Sequence, residues 1–168
     1  TKVNPDMAMF GKALGNGYAI TAVIGKSKFM EKAKKSFISS TFWSERIGFV
    51  AGIRTLKTMQ KIKSWNELIE SGKYINQQWK KLSKKYDLPI YISGIESITQ
   101  FSFNRDNNLY KTYITQELLK KNILGSNLIF LNIYHSKKII DYYINELDKI
   151  FHKIKQFDES KNKRKILA

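Results

Sequence analysis

The sequence predicts an α/β protein laid out as two regions and a basic tail. Three observations carry that expectation. Apolar residues recur at helical spacing over about 44–63 and again over 65–86. Short runs rich in Ile, Val, Thr and Phe, at 19–25, 95–103 and 128–134, read as strands set between helices. The 42% hydrophobic and 13% aromatic content is enough to fill a core, which sets aside wholesale disorder.

The first region covers residues 1–63. Ala19-Ile20-Thr21-Ala22-Val23-Ile24-Gly25 is strand-like and Gly25 closes it. A short helix follows over 26–36. Ser39-Ser40-Thr41 then precedes a long helix whose apolar positions Ile47, Val50, Ala51, Met59 and Ile62 fall mostly at helical spacing. The second region, 64–155, alternates helices and strands. Trp65, Leu68, Ile69, Gly72, Ile75, Trp79, Leu82 and Tyr86 step by three and four, the stripe of an amphipathic helix, and Pro89 ends the stretch. Residues 95–103 read as extended, with Thr99, Phe101 and Phe103 on one face. Arg105-Asp106-Asn107-Asn108 is a turn. Residues 110–121 are helical, with Asn122 as a left-handed C-cap. The strand at 128–134 is followed by Ser136, an N-cap for a last helix carrying Ile139, Ile140, Tyr143, Ile144, Leu147, Ile150, Phe151 and Ile154. This order suits a small α+β domain with helices on one face of a sheet. Residues 156–168 are polar, contain Lys161-Asn162-Lys163-Arg164-Lys165, and read as a frayed tail.

Composition excludes several classes of function. The chain has no cysteine, hence no disulfide and no thiolate metal site, which fits a reducing compartment. His135 and His152 are the only histidines, too few for a histidine-based metal site. No apolar run is long enough to span a membrane, and no signal peptide is visible. The formal charge of +16 invites a nucleic-acid reading. Only four of the 30 basic residues are arginine, however: Arg46, Arg54, Arg105 and Arg164. Nucleic-acid readers exploit arginine for bidentate contacts. Here the lysines are spread along helices opposite apolar stripes, the pattern of a solvated coat.

The segment Pro5-Asp6-Met7-Ala8-Met9-Phe10-Gly11-Lys12-Ala13-Leu14-Gly15-Asn16-Gly17-Tyr18 is the most informative in the chain. It sets one lysine after an apolar run, within a loop holding three glycines. Amine catalysis needs a lysine held at a fixed distance from its carbonyl partner, and shielding by Phe10 and Leu14 would favour its neutral form. Gly15 and Gly17 let the chain turn sharply after Lys12. A phosphate-binding P-loop does not fit, because Ala13 follows the Gly-Lys pair where a Ser or Thr is needed. The ordered string, continued by the strand ending in Ile24-Gly25-Lys26, resembles the lysine motif of class-III pyridoxal-phosphate aminotransferases, the group that includes glutamate-1-semialdehyde aminomutase. The resemblance implies pyridoxal 5'-phosphate as cofactor. It also implies that Lys12 is the catalytic residue, forming the internal aldimine and then moving the α-proton.

A second element is Phe37-Ile38-Ser39-Ser40-Thr41-Phe42-Trp43-Ser44-Glu45-Arg46. Hydroxyls at the start of a helix make an anion site, since free N–H groups and the helix dipole favour phosphate there. They also serve as ordinary N-caps. In the family, a Thr at the matching place binds the cofactor phosphate of the neighbouring subunit, which implies Thr41, with Ser40 beside it, as cofactor-binding residues. The Ser-Ser-Thr-aromatic-Trp form resembles aminomutase-like members. The likeness continues more faintly through 119–136, where His135-Ser136 opens the terminal helix; a structural role is the better reading of His135.

By this resemblance the fold is the C-terminal part of a fold-type-I transferase, with residues 1–63 as a remnant of the large domain and 64–155 as the small domain. The family's acidic partner for the pyridine nitrogen, its phosphate loop and its stacking aromatic all precede the lysine, and only eleven residues do so here. The chain is therefore expected to be an incomplete fragment, inactive or nearly so alone. The parent enzyme would be a cytoplasmic homodimer moving an amino group between a small-molecule donor and a carbonyl acceptor. Two alternatives stay open: an inactive subunit or pseudoenzyme completed by another chain, and a basic nucleic-acid-binding module.

Overall fold

The computed structural model describes residues 3–160. The chain divides into two compact units between Lys63 and Ser64.

The first unit opens with β1 (Met7–Phe10), which pairs antiparallel with β2 (Ala22–Gly25), Met7 opposite Gly25 and Phe10 opposite Ala22. A single 3-10 turn, Lys12–Leu14, follows β1. Helix α1 (Ser27–Ala33) and helix α2 (Arg46–Ile62) complete the unit. Lys63, at a left-handed φ of 48°, stops α2. The strand pair is clasped at its open end. Lys26 N–H donates to the Asp6 carbonyl at 3.0 Å, and its Nζ donates to Asp6 Oδ1 at 2.8 Å. Gly25 makes the clasp possible, because a Cβ there would lie 2.8 Å from the Asp6 carbonyl oxygen. The motif's Asp6, Gly25 and Lys26 thus have a structural job. Among the described residues of this unit no large apolar side chain is fully withdrawn from water; the buried positions of α2 are Gly48 and Gly52.

The second unit carries the core. It runs α3 (Ser64–Tyr86), β3 (Ile90–Ile95), β4 (Ile98–Phe103), α4 (Asn107–Leu119), β5 (Leu128–Phe130) and α5 (Lys137–Glu159). The sheet is antiparallel in the order β3-β4-β5. Strand alternation buries Thr99, Phe101 and Phe103 of the central strand while Ile98 and Gln100 stay exposed, so the helices cover one face. Phe101 meets Trp79 of α3 edge-to-face at 4.8 Å and Phe151 of α5 at 5.8 Å. The buried indole N–H of Trp79 donates to Tyr143 Oη at 3.2 Å, and that hydroxyl donates to the Ser126 carbonyl at 3.1 Å.

Several elements differ from the sequence expectation. The strand expected at 19–25 begins at Ala22, the helix expected at 26–36 ends at Ala33, and the turn expected at 105–108 gives way at Asn107 to α4. The extended run at 95–103 is the second arm of a hairpin: Ile95 pairs with Ile98 across the Glu96-Ser97 turn, and β3 reaches back to Ile90. The strand expected at 128–134 stops at Phe130. Asn132 breaks it by accepting from Tyr134 N–H through its side chain at 2.9 Å, a local bond that competes with the ladder. Helix α5 continues past Gln156 to Glu159, where the sequence turns polar. Phe157 packs against Tyr113 with ring centres 6.0 Å apart, Asp158 pairs with Arg105 at 3.1 Å, and Tyr110 Oη donates to Asp158. The remainder of the expected tail, 161–168, lies outside the described residues. Asn122 takes the left-handed conformation at φ 58°, and Ser136 Oγ accepts from Ile139 N–H.

Candidate active site

Lys12 stands at the point where β1 gives way to the 3-10 turn. Its backbone is left-handed, φ 47°, which is uncommon for a long side chain. Leu14 N–H donates to the Gly11 carbonyl at 3.0 Å and Gly15 N–H to the Lys12 carbonyl at 3.3 Å, so the lysine is set in a tight, hydrogen-bonded bend. The next bend is closed by Tyr18 N–H donating to the Gly15 carbonyl at 3.1 Å. Gly15 allows it, because a Cβ there would sit 2.0 Å from the Tyr18 carbonyl oxygen. Gly17, at φ 105°, supplies the turn that favours glycine. The loop then rests on α2 at Gly48, where a Cβ would fall 2.4 Å from the Ala19 carbonyl oxygen.

These contacts shape a cavity of about 850 Å³ within the first unit. Lys12, Tyr18, Ser39, Ser40, Trp43 and Glu45 are on its wall. Lys12 is its basic residue and Glu45 its acidic one. Among the described residues the Lys12 amine has no hydrogen-bond or ion-pair partner, in contrast to Lys26, which is tied to Asp6.

The cavity therefore brings together two of the three expected site residues, Lys12 and Ser40. Thr41 is exposed and is not on the wall. The shielding expected from Phe10 and Leu14 is not realised. Neither lines the cavity, Phe10 is 48% exposed, and Lys12 is itself exposed. The reason is the left-handed turn at Lys12, which sends the lysine out of the β1 line that carries Phe10. His135 lies in the second unit, where its Nδ1 accepts from Asn132 N–H at 3.3 Å, a structural role. Sequence reasoning assigned no role to Tyr18, Glu45 or Gly48. The signal for Gly48 was its place one turn into an apolar helix; Glu45 offered only its position just before that helix. Among the described residues no helix is long and apolar enough to cross a membrane.

A lysine amine, two serine hydroxyls and aromatic faces around one cavity are the parts of a site for a carbonyl compound bearing an anionic group. Comparison with known proteins shows the family. Residues 1–142 match the class-III aminotransferase family, and the chain belongs to it. Among curated relatives, it is 31% identical over 138 residues to the 3-aminobutyryl-CoA aminotransferase of Cloacimonas acidaminovorans, covering 79% of this chain and 32% of that protein. It is 27% identical over 165 residues to the glutamate-1-semialdehyde 2,1-aminomutase of Methanosphaera stadtmanae, covering 87% and 38%. The chain thus spans about a third of the length of the curated relatives it matches. Among solved structures, the FumI protein of Sphingopyxis sp. MTA144 in its PLP internal aldimine form superposes with a TM-score of 0.85 at 23% identity, covering 94% of this chain and 39% of that one. An omega-transaminase from Sphaerobacter thermophilus gives 0.78 at 14% identity, covering 89% and 39%. The α/β fold is accordingly that of the fold-type-I transaminases.

Proposed function

We propose that this chain carries the anchor lysine and the small domain of a pyridoxal-phosphate enzyme that moves an amino group from a small donor to a carbonyl acceptor, as an aminotransferase or an aminomutase. The observation that supports this best is the setting of Lys12: a left-handed, hydrogen-bonded bend that presents an unpartnered amine to a cavity walled by hydroxyls and aromatic rings.

The donor set fits the cofactor. Lys12 Nζ matches its aldehyde, Ser39 and Ser40 can donate to its phosphate, and Tyr18 and Trp43 offer faces to its ring. When bound, pyridoxal phosphate supplies an aldehyde that exchanges amino groups and a ring that draws electrons from the adjoining carbon. Lys12 would hold it covalently, and its Nζ, when free, would accept the proton from the substrate Cα and return it elsewhere. The tight bends at Gly15 and Gly48 keep the loop fixed, which preserves the distance that this proton transfer needs. Thr41, exposed and off this wall, serves the phosphate held by a neighbouring copy, and the working enzyme is a cytoplasmic homodimer. In this reading residues 1–63 belong to the cofactor domain and 64–155 to the small domain. In this reading none of the residues on the cavity wall is assigned as the acidic partner of the ring nitrogen, and the chain alone is expected to turn over little or no substrate.

The test is covalent trapping. The chain is mixed with pyridoxal phosphate, reduced with borohydride, digested and weighed peptide by peptide. The label should concentrate on the peptide holding Lys12 and vanish from it in Lys12→Ala. Uniform labelling across the other lysines, with no preference for Lys12, would refute the assignment.

A further inference from the structure

Lys12 follows β1 after a single glycine, so the placement of β1 decides where the lysine stands. That placement has little to rest on. β1 and β2 pair over four residues each, and a two-stranded ribbon of that length is marginal in water. Packing adds little, because Met7, Met9, Phe10, Val23 and Ile24 are all about half exposed or more.

Asp6 supplies what the ribbon lacks. Lys26 donates to it twice, from its N–H to the Asp6 carbonyl at 3.0 Å and from Nζ to Asp6 Oδ1 at 2.8 Å. The Lys26 carbonyl in turn accepts from Phe29 N–H at 2.9 Å and from Met30 N–H at 3.1 Å, which starts α1. Gly25 lets the three pieces close up, since a Cβ there would lie 2.9 Å from Met7 Cγ and 3.2 Å from Met30 Sδ. Asp6 and Lys26 are 20 positions apart, and the segment they enclose contains Lys12. The other ion pair among the described residues of this unit, Glu31 with Lys34, stays within α1 and its C-cap. At the opposite end of the ladder the loop is narrow again, where a Cβ on Gly11 would lie 3.3 Å from Thr21 Cγ2. The Asp6 carboxylate therefore ties one end of a hairpin whose other end presents the lysine.

We propose that Asp6 is a positioning residue for Lys12: through Lys26 it holds β1 in register against β2 and so keeps the lysine amine at the distance its carbonyl partner requires. The proposal rests on the reading of Lys12 as the cofactor's anchor. It adds no chemical step, and Asp6 is not on the cavity wall. The paired side chains are 48% and 58% exposed, so the effect is modest and screened by salt.

Asp6→Asn keeps the backbone bond and removes the charge. The chain is mixed with pyridoxal phosphate at low ionic strength, reduced with borohydride and read by peptide mass spectrometry. The label on Lys12, taken relative to that on Lys80 and Lys81 of α3, should fall about two- to fivefold. The direction discriminates, because removing a carboxylate from a basic chain would by itself draw an anionic aldehyde more strongly and raise the label. Asp6→Glu should keep part of the label, and the exchanged pair, Asp6→Lys with Lys26→Asp, should recover it. In ~1 M salt the wild type should approach the Asp6→Asn value. Amide exchange over α2 should stay as in the wild type, whereas a residue that only stabilises the unit would move it along with the label. An unchanged or raised Lys12 label in Asp6→Asn, no recovery in the exchanged pair, the same salt response in wild type and Asp6→Asn, or faster exchange across α2 would overturn the proposal. Absence of preferential labelling at Lys12 in the wild type strikes the underlying functional reading instead, so the two failures are told apart.

Discussion

Gly48 and Gly52 lie one turn apart on α2, and the same substitution should act on them with opposite sign. Replacing a helical glycine with alanine relieves backbone entropy by about 1 kcal/mol. At Gly52 the new methyl would meet Ile20 Cδ1 at 3.6 Å and the Leu14 carbonyl oxygen at 3.7 Å, ordinary contact distances. Gly52→Ala should therefore stabilise α2 by up to ~1 kcal/mol. At Gly48 the methyl would lie 2.4 Å from the Ala19 carbonyl oxygen and 3.2 Å from Ile20 Cβ. An unstrained carbon–oxygen contact needs about 3.3 Å, so the loop has to retreat by roughly 0.9 Å. The obstacle is backbone, in a loop already hydrogen-bonded to itself, so it yields poorly. Overpacking of this kind costs ~1–3 kcal/mol, more than the helix gain. Amide hydrogen exchange, followed by mass spectrometry over peptides from α2 and from 14–21, measures local opening directly. Gly48→Ala should speed exchange there by roughly tenfold, and Gly52→Ala should slow it by a few-fold. Since loop 17–20 lines the cavity, Gly48→Ala should also lower covalent trapping at Lys12. A shift in the same direction for both variants would refute the close-approach reasoning.

Two further predictions concern the second unit. Tyr143→Phe removes the acceptor of the buried Trp79 indole N–H and the donor to the Ser126 carbonyl. Urea unfolding should show a loss of ~1–3 kcal/mol, the cost of an orphaned buried donor; an unchanged midpoint would mean that water or another group replaces the hydroxyl. Asp141 is held below its ordinary pKa by the hydrogen bond from Lys137 and then by that from Tyr74 Oη. A depressed carboxylate stabilises the fold above its unfolded pKa and stops doing so as pH falls through the folded value. The stability difference between wild type and Asp141→Asn should accordingly be full at neutral pH and close in acid; a difference that widens on acidification would contradict this assignment.

How much of this was legible in the sequence depends on whether the signal was periodic. Helices α2, α3 and α5 and the buried face of β4 were readable because apolar side chains repeat at 3.6 or 2 residues; burial follows the repeat in α3, α5 and β4, whereas the apolar side chains of α2 stay largely exposed. The β3–β4 hairpin was hidden, since Ile90-Tyr91-Ile92-Ser93 follows Pro89 so closely that it reads as a linker, and the Glu96-Ser97 turn lacks the usual Asn-Gly signature. The end of α5 was hidden because its last turn is secured by Phe157 and Asp158 through residues some fifty positions away, which no local pattern shows. In the site, Lys12 and Ser40 were reachable through ordered motifs. Glu45 was not, because which residues share a cavity wall is not a local pattern.

The two units hold their shape by different physics, and this bears on the site. In the second unit, interlocked aromatic and aliphatic side chains such as Trp79, Phe101, Ile114, Leu147 and Phe151 are almost wholly buried. The first unit, among its described residues, buries no large apolar side chain and instead relies on a four-residue strand pair, the Asp6–Lys26 clasp and backbone approaches at Gly15, Gly25 and Gly48. Its order is sharp in geometry but thin in hydrophobic stabilisation, since close approach fixes position without removing much apolar area from water. The Lys12 cavity is formed wholly from that unit. Small steric changes at glycine should therefore disturb the candidate site well before they disturb the protein's global unfolding, which is where local exchange and covalent trapping at Lys12 will report and bulk denaturation will not.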